Sequence, residues 1–347
     1  MFYVRPAQAE DTPDLLRLAR TMHSGNLPAD SIALQDRIEY SRECFAGCAP
    51  HGEHIYMFVL VDGASNRVAG TSSLVTGKGT VENPRLFLRV KRREHYSDDL
   101  QTGQLQVTLQ LGRDHSGPTE LGGLVLGAPW RGLPQRLGSF LSKVRFAYIG
   151  MHPDRFDRRL IGEIMGDLTA DGRTMLWDHL GRRFINLSYT EADAFSRTSK
   201  EFITSLFPQG EIHVSLLPAE ARRLIGRVAP DARAAMRMLE RQGFKHCDEV
   251  DPFDGGPYVE AERDEIPLVR MTESKCLADS VPEIDPTSCI VMTDVDGAGM
   301  LAVQDDTCRN GSTVSVSAAA MELLGVSIGD NVTVTPLWAT DDTDDAS

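Results

Sequence analysis

Between Thr119 and Ile149 the spacing of the apolar residues changes from that of a strand to that of a helix, and this change restricts the architectures open to the chain. Thr119–Leu126 reads as a strand and breaks at Gly127-Ala128-Pro129. From Ser139 to Ile149, Phe140, Leu141, Val144, Ala147 and Tyr148 recur at helical spacing. Strand, Gly/Pro/Arg-rich loop and helix follow one another directly.

The segments on either side extend the pattern. Upstream, Tyr3–Arg5 reads as an opening strand stopped by Pro6. Asp11 then caps a helix to about His23, with Pro13 in its first turn, and a second helix starts near Ser31. Strands follow at His54–Asp62, Arg67–Val75, Leu86–Val90 and Gln104–Leu111. Downstream, helices are expected at Arg155–Met165, Ala192–Leu206, Pro218–Val228 and Asp231–Gln242, the last closed by Gly243 as a left-handed cap. Phe244–Val250 resumes as strand, and Phe253–Pro257 (FDGGP) makes a sharp turn into one more. This order predicts an α/β fold with a mixed sheet flanked by helices, not a doubly wound one.

From about residue 275 the character changes. Short strand patterns (CIVMTDVD, GMLAVQ, TVSVS, NVTVTPLW) surround one short helix within Ala318–Asp330, and the chain ends in the acidic ATDDTDDAS. Charge divides similarly. Up to Phe244 there are 31 Lys and Arg against 28 Asp and Glu; from Lys245 onward there are 5 against 22. The reading is two units, 1–272 and 273–347, the second a small mostly β module with a disordered acidic tail. A net charge of −14 and 7% aromatic residues give no basic or aromatic platform for nucleic acid. No apolar run reaches the 18 or so residues of a membrane span. With no export signal at the N-terminus and six cysteines lacking any CxxC, the expected location is the cytoplasm. The nine histidines form no HxH or HExxH, so no metal is expected.

The loop at Gly127–Ser139 carries the first chemistry. A glycine-rich loop that opens a helix presents backbone N–H groups and the positive helix end to an anion, typically a pyrophosphate. Arg131, Arg136, Lys143 and Arg145 add positive charge there, and Gly138-Ser139 begin the helix.

That loop, with the later helix-Gly-Phe element Ala234–Phe244, resembles the acyl-CoA N-acyltransferase superfamily (GNAT-like fold). The superfamily loop reads R/Q-x-x-G-x-G/A. Here Arg136 stands at its first glycine and Gly138 matches its second, and the distance between the two elements implies a large insertion at roughly 150–215. More of the chain is similar to the arginine N-succinyltransferase family, from about residue 2 to 270. The matching stretches include Asp114–Leu121 (D-H-S-G-x-x-E-L), Leu124–Arg131, Leu141–Phe146 (L-S-K-x-R-F), Leu180–Phe184, Ala192-Asp193, Ile225–Pro230 and Phe253–Pro257.

The resemblance implies succinyl-CoA as co-substrate and the α-amino group of arginine, or sometimes ornithine, as acceptor. It implies cofactor contacts at Leu124, Val125, Leu126, Arg131, Arg136, Gly138 and Ser139, with Leu124 the family's succinyl-CoA contact. One departure stands out: the family's histidine in I-G-x-V-H-P is Ala229 here, and a second family histidine falls near Ser215. Thioester aminolysis needs a base to take the ammonium proton. Glu120, at the start of the strand leading to the loop, is the first candidate and His213 the second, with His115 and His152 behind them. Asp193 and Asp254 are candidates for the acceptor guanidinium, and Asp254 equally for a turn residue that accepts its neighbours' N–H groups. Two alternatives stay open: another acyl-CoA or amine, or a CoA-binding, non-catalytic subunit paired with an active paralogue. A homo- or hetero-oligomer is expected.

Overall fold

Strand β1 (Phe2–Pro6) leads through a 3-10 turn into α1 (Thr12–Ala19), and α2 (Ser31–Ala46) follows, its N-terminus capped by Asp30. Then come β2 (Ile55–Asp62), β3 (Arg67–Val75), β4 (Arg85–Ser97), β5 (Thr102–Asp114) and β6 (Thr119–Leu126). Helix α3 (Leu137–Met151) is followed by β7 (Arg159–Glu163) and by the short helices α4 (Met175–His179), α5 (Tyr189–Ser196) and α6 (Glu201–Leu206). Next are β8 (Ile212–His213), α7 (Ala219–Arg222), α8 (Arg233–Arg241), β9 (Lys245–Val250), β10 (Pro257–Glu262) and α9 (Pro267–Arg270). The last elements are β11 (Glu273–Leu277), β12 (Thr287–Val295), β13 (Gly299–Asn310), β14 (Thr313–Ser315), α10 (Ala318–Leu324) and β15 (Asn331–Pro336). This computed structural model describes residues 1–20, 27–81, 83–280, 285–295 and 299–337. The end of the helix expected to reach His23, and the acidic tail, lie outside the described residues.

The strands form one mixed sheet in the order β12-β15-β11-β14-β13-β1-β2-β3-β6-β7-β10-β9-β4-β5-β8. All its pairings are antiparallel except β6–β7 and β11–β14. Alternation along β2 sorts the core. Tyr56, Phe58 and Leu60 face α3, while Met57, Val59 and Val61 face α1 and the first half of α2. Residues 176–224 cover β4 and β5 with a separate core built round Trp177, Ile203 and Phe207. Strand β12 pairs with both β15 and β13, so β11–β15 close into a small barrel with Val291, Val303, Val314 and Val334 inside. Strand β13 also pairs with β1 (Tyr3↔Val303, Val4↔Ala302), joining barrel to main sheet.

The structure corrects several local readings. The segment expected as helix Arg155–Met165 holds strand β7. Phe156, Leu160 and Ile164 lie four apart and mimic a helical stripe, but β7 is held by β6 on one side and β10 on the other. The helix expected at Ala192–Leu206 is two helices, α5 and α6, and the one at Pro218–Val228 shrinks to α7. Strands β4 and β5 outrun their apolar cores and pair over thirteen residue pairs as a long hairpin. Strand β11 carried no signal that was read.

A candidate active site in two cavities joined by one strand

Strand β6 runs between two cavities. The larger, of about 660 Å³, is lined from β3, β4, β6, β7 and β10, with α2 and α5 above it and the turn at 251–254 at one end. The smaller, of about 510 Å³, lies between the start of α3 and α8. Glu120, Gly122 and Gly123 line the larger and Leu126 the smaller. The β6–β7 pairing covers only Thr119–Leu121, so the rest of β6 continues beyond the end of β7. Opposite β3 the register slips between Ser73 and Thr71, where Gly123 takes φ +60°. A Cβ on Gly123 would come within 2.8 Å of Ser73 Oγ, so the bulge demands glycine.

The smaller cavity is cationic by composition. Arg131, Arg136, Lys143, Arg237 and Arg241 line it, and no carboxylate is among its described lining residues. Helix α3 opens onto it with no side-chain cap on its first turn, so the positive helix end adds to the cations. Arg131 is oriented by its Nε–H, which donates to Leu126 O at 2.9 Å. Arg136 occupies the left-handed region, φ +48°, at the position where the sequence comparison expected glycine. Leu126, Arg131, Arg136, Gly138 and Ser139 thus gather here. Val125 does not: its side chain is buried in the core against α1 and α2. Leu124 packs on the main core and lines neither cavity. Arg237 and Arg241 were not anticipated, although two arginines one helical turn apart on α8 were visible.

The larger cavity has two ends of different charge. At one, Asp251 Oδ1 accepts the N–H groups of Phe253 (2.7 Å) and Asp254 (2.8 Å). Asp254 accepts from Gly256 (2.7 Å) and Gly166 (2.9 Å), so the turn role read for it is met while it also faces the cavity. A Cβ on Gly256 would lie 2.0 Å from Ile164 O, which fixes glycine there. Glu163 Oε2 accepts the Tyr258 hydroxyl at 3.0 Å, and Asp193 stands nearby. Burial first, then the charges of Asp254 and Glu163, push the Asp251 carboxyl well above its ordinary value. Burial likewise raises Asp254. Glu163 is open to the cavity yet surrounded by protein, and that desolvation, with the Glu120 and Asp254 charges, lifts its carboxyl to about 7. No cation is among the main causes acting on Asp251 or Asp254, and Arg197 at this end is taken up by Asp193. This end is short of positive charge.

The other end is mixed. Glu120 is 7% exposed, and its Oε2 lies 3.4 Å from Lys78 Nζ. That is ion-pair distance without hydrogen-bond geometry, and the oxygen accepts no hydrogen bond. Glu120 is the main cause holding the Lys78 ammonium above its usual range, while burial pulls Lys200 down. Arg37 and Glu53 complete this end.

His213 stands apart from both cavities. It is exposed on β8, paired with Thr108 at the sheet edge, and lines neither cavity. His115 accompanies Thr80 O and His152 pairs with Asp294, both outside the lining. Ala229 is buried, its N–H donating to Met165 O at 2.9 Å, and it too lines neither cavity. Lys78, Glu163, Asp251 and Lys200 were missed, because each comes from a different segment and no local spacing links them.

The family model described as "Arginine N-succinyltransferase beta subunit" matches residues 2–268. The arginine N-succinyltransferase of Yersinia enterocolitica is 34% identical over 344 residues, covering 98% of this chain and 99% of that one. The protein of the same name from Citrobacter koseri is 30% identical over 346 residues, covering 99% and 100%. Among solved structures, the arginine/ornithine succinyltransferase subunit AI from Pseudomonas aeruginosa superposes with a TM-score of 0.81 at 30% identity, covering 97% of this chain and 98% of that one.

Proposed function

The chain belongs to the arginine N-succinyltransferase family, and from that premise we propose that it moves the succinyl group of succinyl-CoA onto the α-amino group of arginine, with the donor in the smaller cavity and the acceptor in the larger. The observation that carries this is the opposite electrostatic demand of two cavities joined by one strand. The cation-lined mouth of α3 suits the phosphates of CoA. The acid end of the larger cavity suits a guanidinium. Strand β6 lies between them, where a thioester reaching from one side meets an amine from the other.

In this reading Asp251, Asp254 and Glu163 hold the guanidinium, which leaves the α-amine beside Glu120. Glu120 takes a proton from the ammonium, with Lys78 3.4 Å from its carboxylate. The amine nitrogen attacks the thioester carbonyl, the C–N bond forms, the C–S bond breaks, and the second proton shed by the nitrogen goes to the departing thiolate, so CoA leaves as the thiol. Backbone N–H groups of β6 past the end of β7, around Leu124, polarise the carbonyl. The strand–loop–helix at 119–151 and the parting of β6 from β7 support a GNAT-like core of residues 1–272, with 273–347 as an appended β-rich unit. We place the reaction in the cytoplasm, in an assembly of copies or with a paralogue.

Release of free CoA from succinyl-CoA, followed with a thiol reagent and with the product identified by mass, tests this directly. CoA release should require arginine. Asp251→Asn, which keeps the turn acceptor and removes the charge, should raise KM for arginine about tenfold or more while leaving CoA affinity unchanged. Arginine-independent release would overturn the reading.

A further inference from the structure

Among the described residues, every cation lining the larger cavity but one has a partner. Lys78 faces Glu120; Arg85 binds Asp114 and Glu249 (2.9 and 2.6 Å); Arg197 binds Asp193 (2.7 Å); Lys200 donates to Pro84 O (3.1 Å). Arg37, on α2 above the cavity, makes no hydrogen bond or ion pair among the described residues, and its Nε is shut away from water without an acceptor. A guanidinium carries five N–H donors in a planar fork, and a shielded donor left without a partner carries a free-energy cost. Glu120 and Glu53 act on Arg37 from a distance and Arg197 opposes them. Nothing within bonding reach completes the fork. What it lacks is a planar anion with two oxygens.

We propose that Arg37 binds a carboxylate of the substrates and so sets specificity at this end of the cavity; the inference rests on the reaction proposed above. That reaction brings two such groups close to the reacting atoms. One is the α-carboxylate of arginine, attached to the carbon that bears the attacking amine. The other is the free carboxylate of the succinyl chain, two methylenes from the thioester carbonyl. Both present the same two oxygens to the fork, and Glu120 lines the same cavity as Arg37.

The test is kcat/KM for four pairings, succinyl-CoA or acetyl-CoA with arginine or agmatine (arginine without its carboxylate), in the wild type, Arg37→Met and Arg37→Lys. If the fork holds the α-carboxylate, Arg37→Met cuts the arginine-over-agmatine ratio by roughly tenfold to a hundredfold and leaves the succinyl-over-acetyl ratio alone. If it holds the succinyl carboxylate, the second ratio collapses and the first stays. Arg37→Lys should recover part of the lost ratio, because the charge returns without the fork. Both ratios unchanged in Arg37→Met, or all four pairings reduced alike, would overturn the proposal. A wild type with no arginine-dependent CoA release would instead overturn the reaction on which it rests.

Discussion

Protonation of the acceptor cavity ties single residues to function. With the Glu163 carboxyl at about 7 and Asp251 and Asp254 raised by burial, the free protein holds protons that a guanidinium would displace. The sign follows: a cation favours the ionised acids, so arginine binding releases protons and tightens as pH rises from about 6 to 8. Calorimetry in buffers of different ionisation enthalpy measures that release; buffer-independent heat, or affinity falling with pH, would contradict it. At this scale the sequence was partly readable. Glu120 stood out as a carboxylate at the start of the strand leading to the loop, and Asp193 and Asp254 as acids able to meet a guanidinium. Arg37, Lys78 and Glu163 did not, because α2, the loop after β3, and β7 meet only in the folded sheet. The position of His213 was not readable either: Ile212–Leu217 reads as a strand, but the strand is two residues long and lies at the exposed sheet edge.

Among elements, strand, loop and helix from β6 to α3 follow from apolar period and turn residues, and they line the smaller cavity, the one proposed for the donor. Gly138 opens α3 with open space around it: a Cβ there would meet only Leu126 Cδ2, at 3.8 Å. Gly138→Val therefore leaves the fold intact and places two methyl groups at the mouth of the cavity. Its Kd for CoA should rise at least tenfold, about 1.4 kcal/mol, with an unchanged melting temperature. Unchanged affinity by calorimetry would remove CoA from this cavity. Elements that sequence reasoning misassigned share one cause. Strand β7 carries apolar residues four apart, and the short helices over β4 and β5 are held by contacts round Trp177 more than by their own period. Where tertiary packing decides a short segment, periodicity cannot.

At the level of the whole molecule, charge and strand pattern set the C-terminal part off, yet its attachment could not be read, because long-range register leaves no local mark. Strand β13 completes β1, and Ile290, Met292, Met300, Ala302 and Leu337 are buried in the same core as α3. Ending the chain after Met271 should uncover that apolar surface and an open strand edge, costing cooperative thermal unfolding and producing aggregation visible by light scattering. A soluble, cooperatively unfolding fragment that binds CoA would show the core is independent of the barrel. In the proposed reaction the two cavities act together, with Glu120 on the strand they share. The measurement that bears most directly on this is the turnover of Glu120→Gln with succinyl-CoA and arginine, taken beside its CoA affinity. The expected result is kcat lowered by roughly 10²–10⁴-fold with CoA binding unchanged; a variant that turns over as fast as the wild type would contradict it.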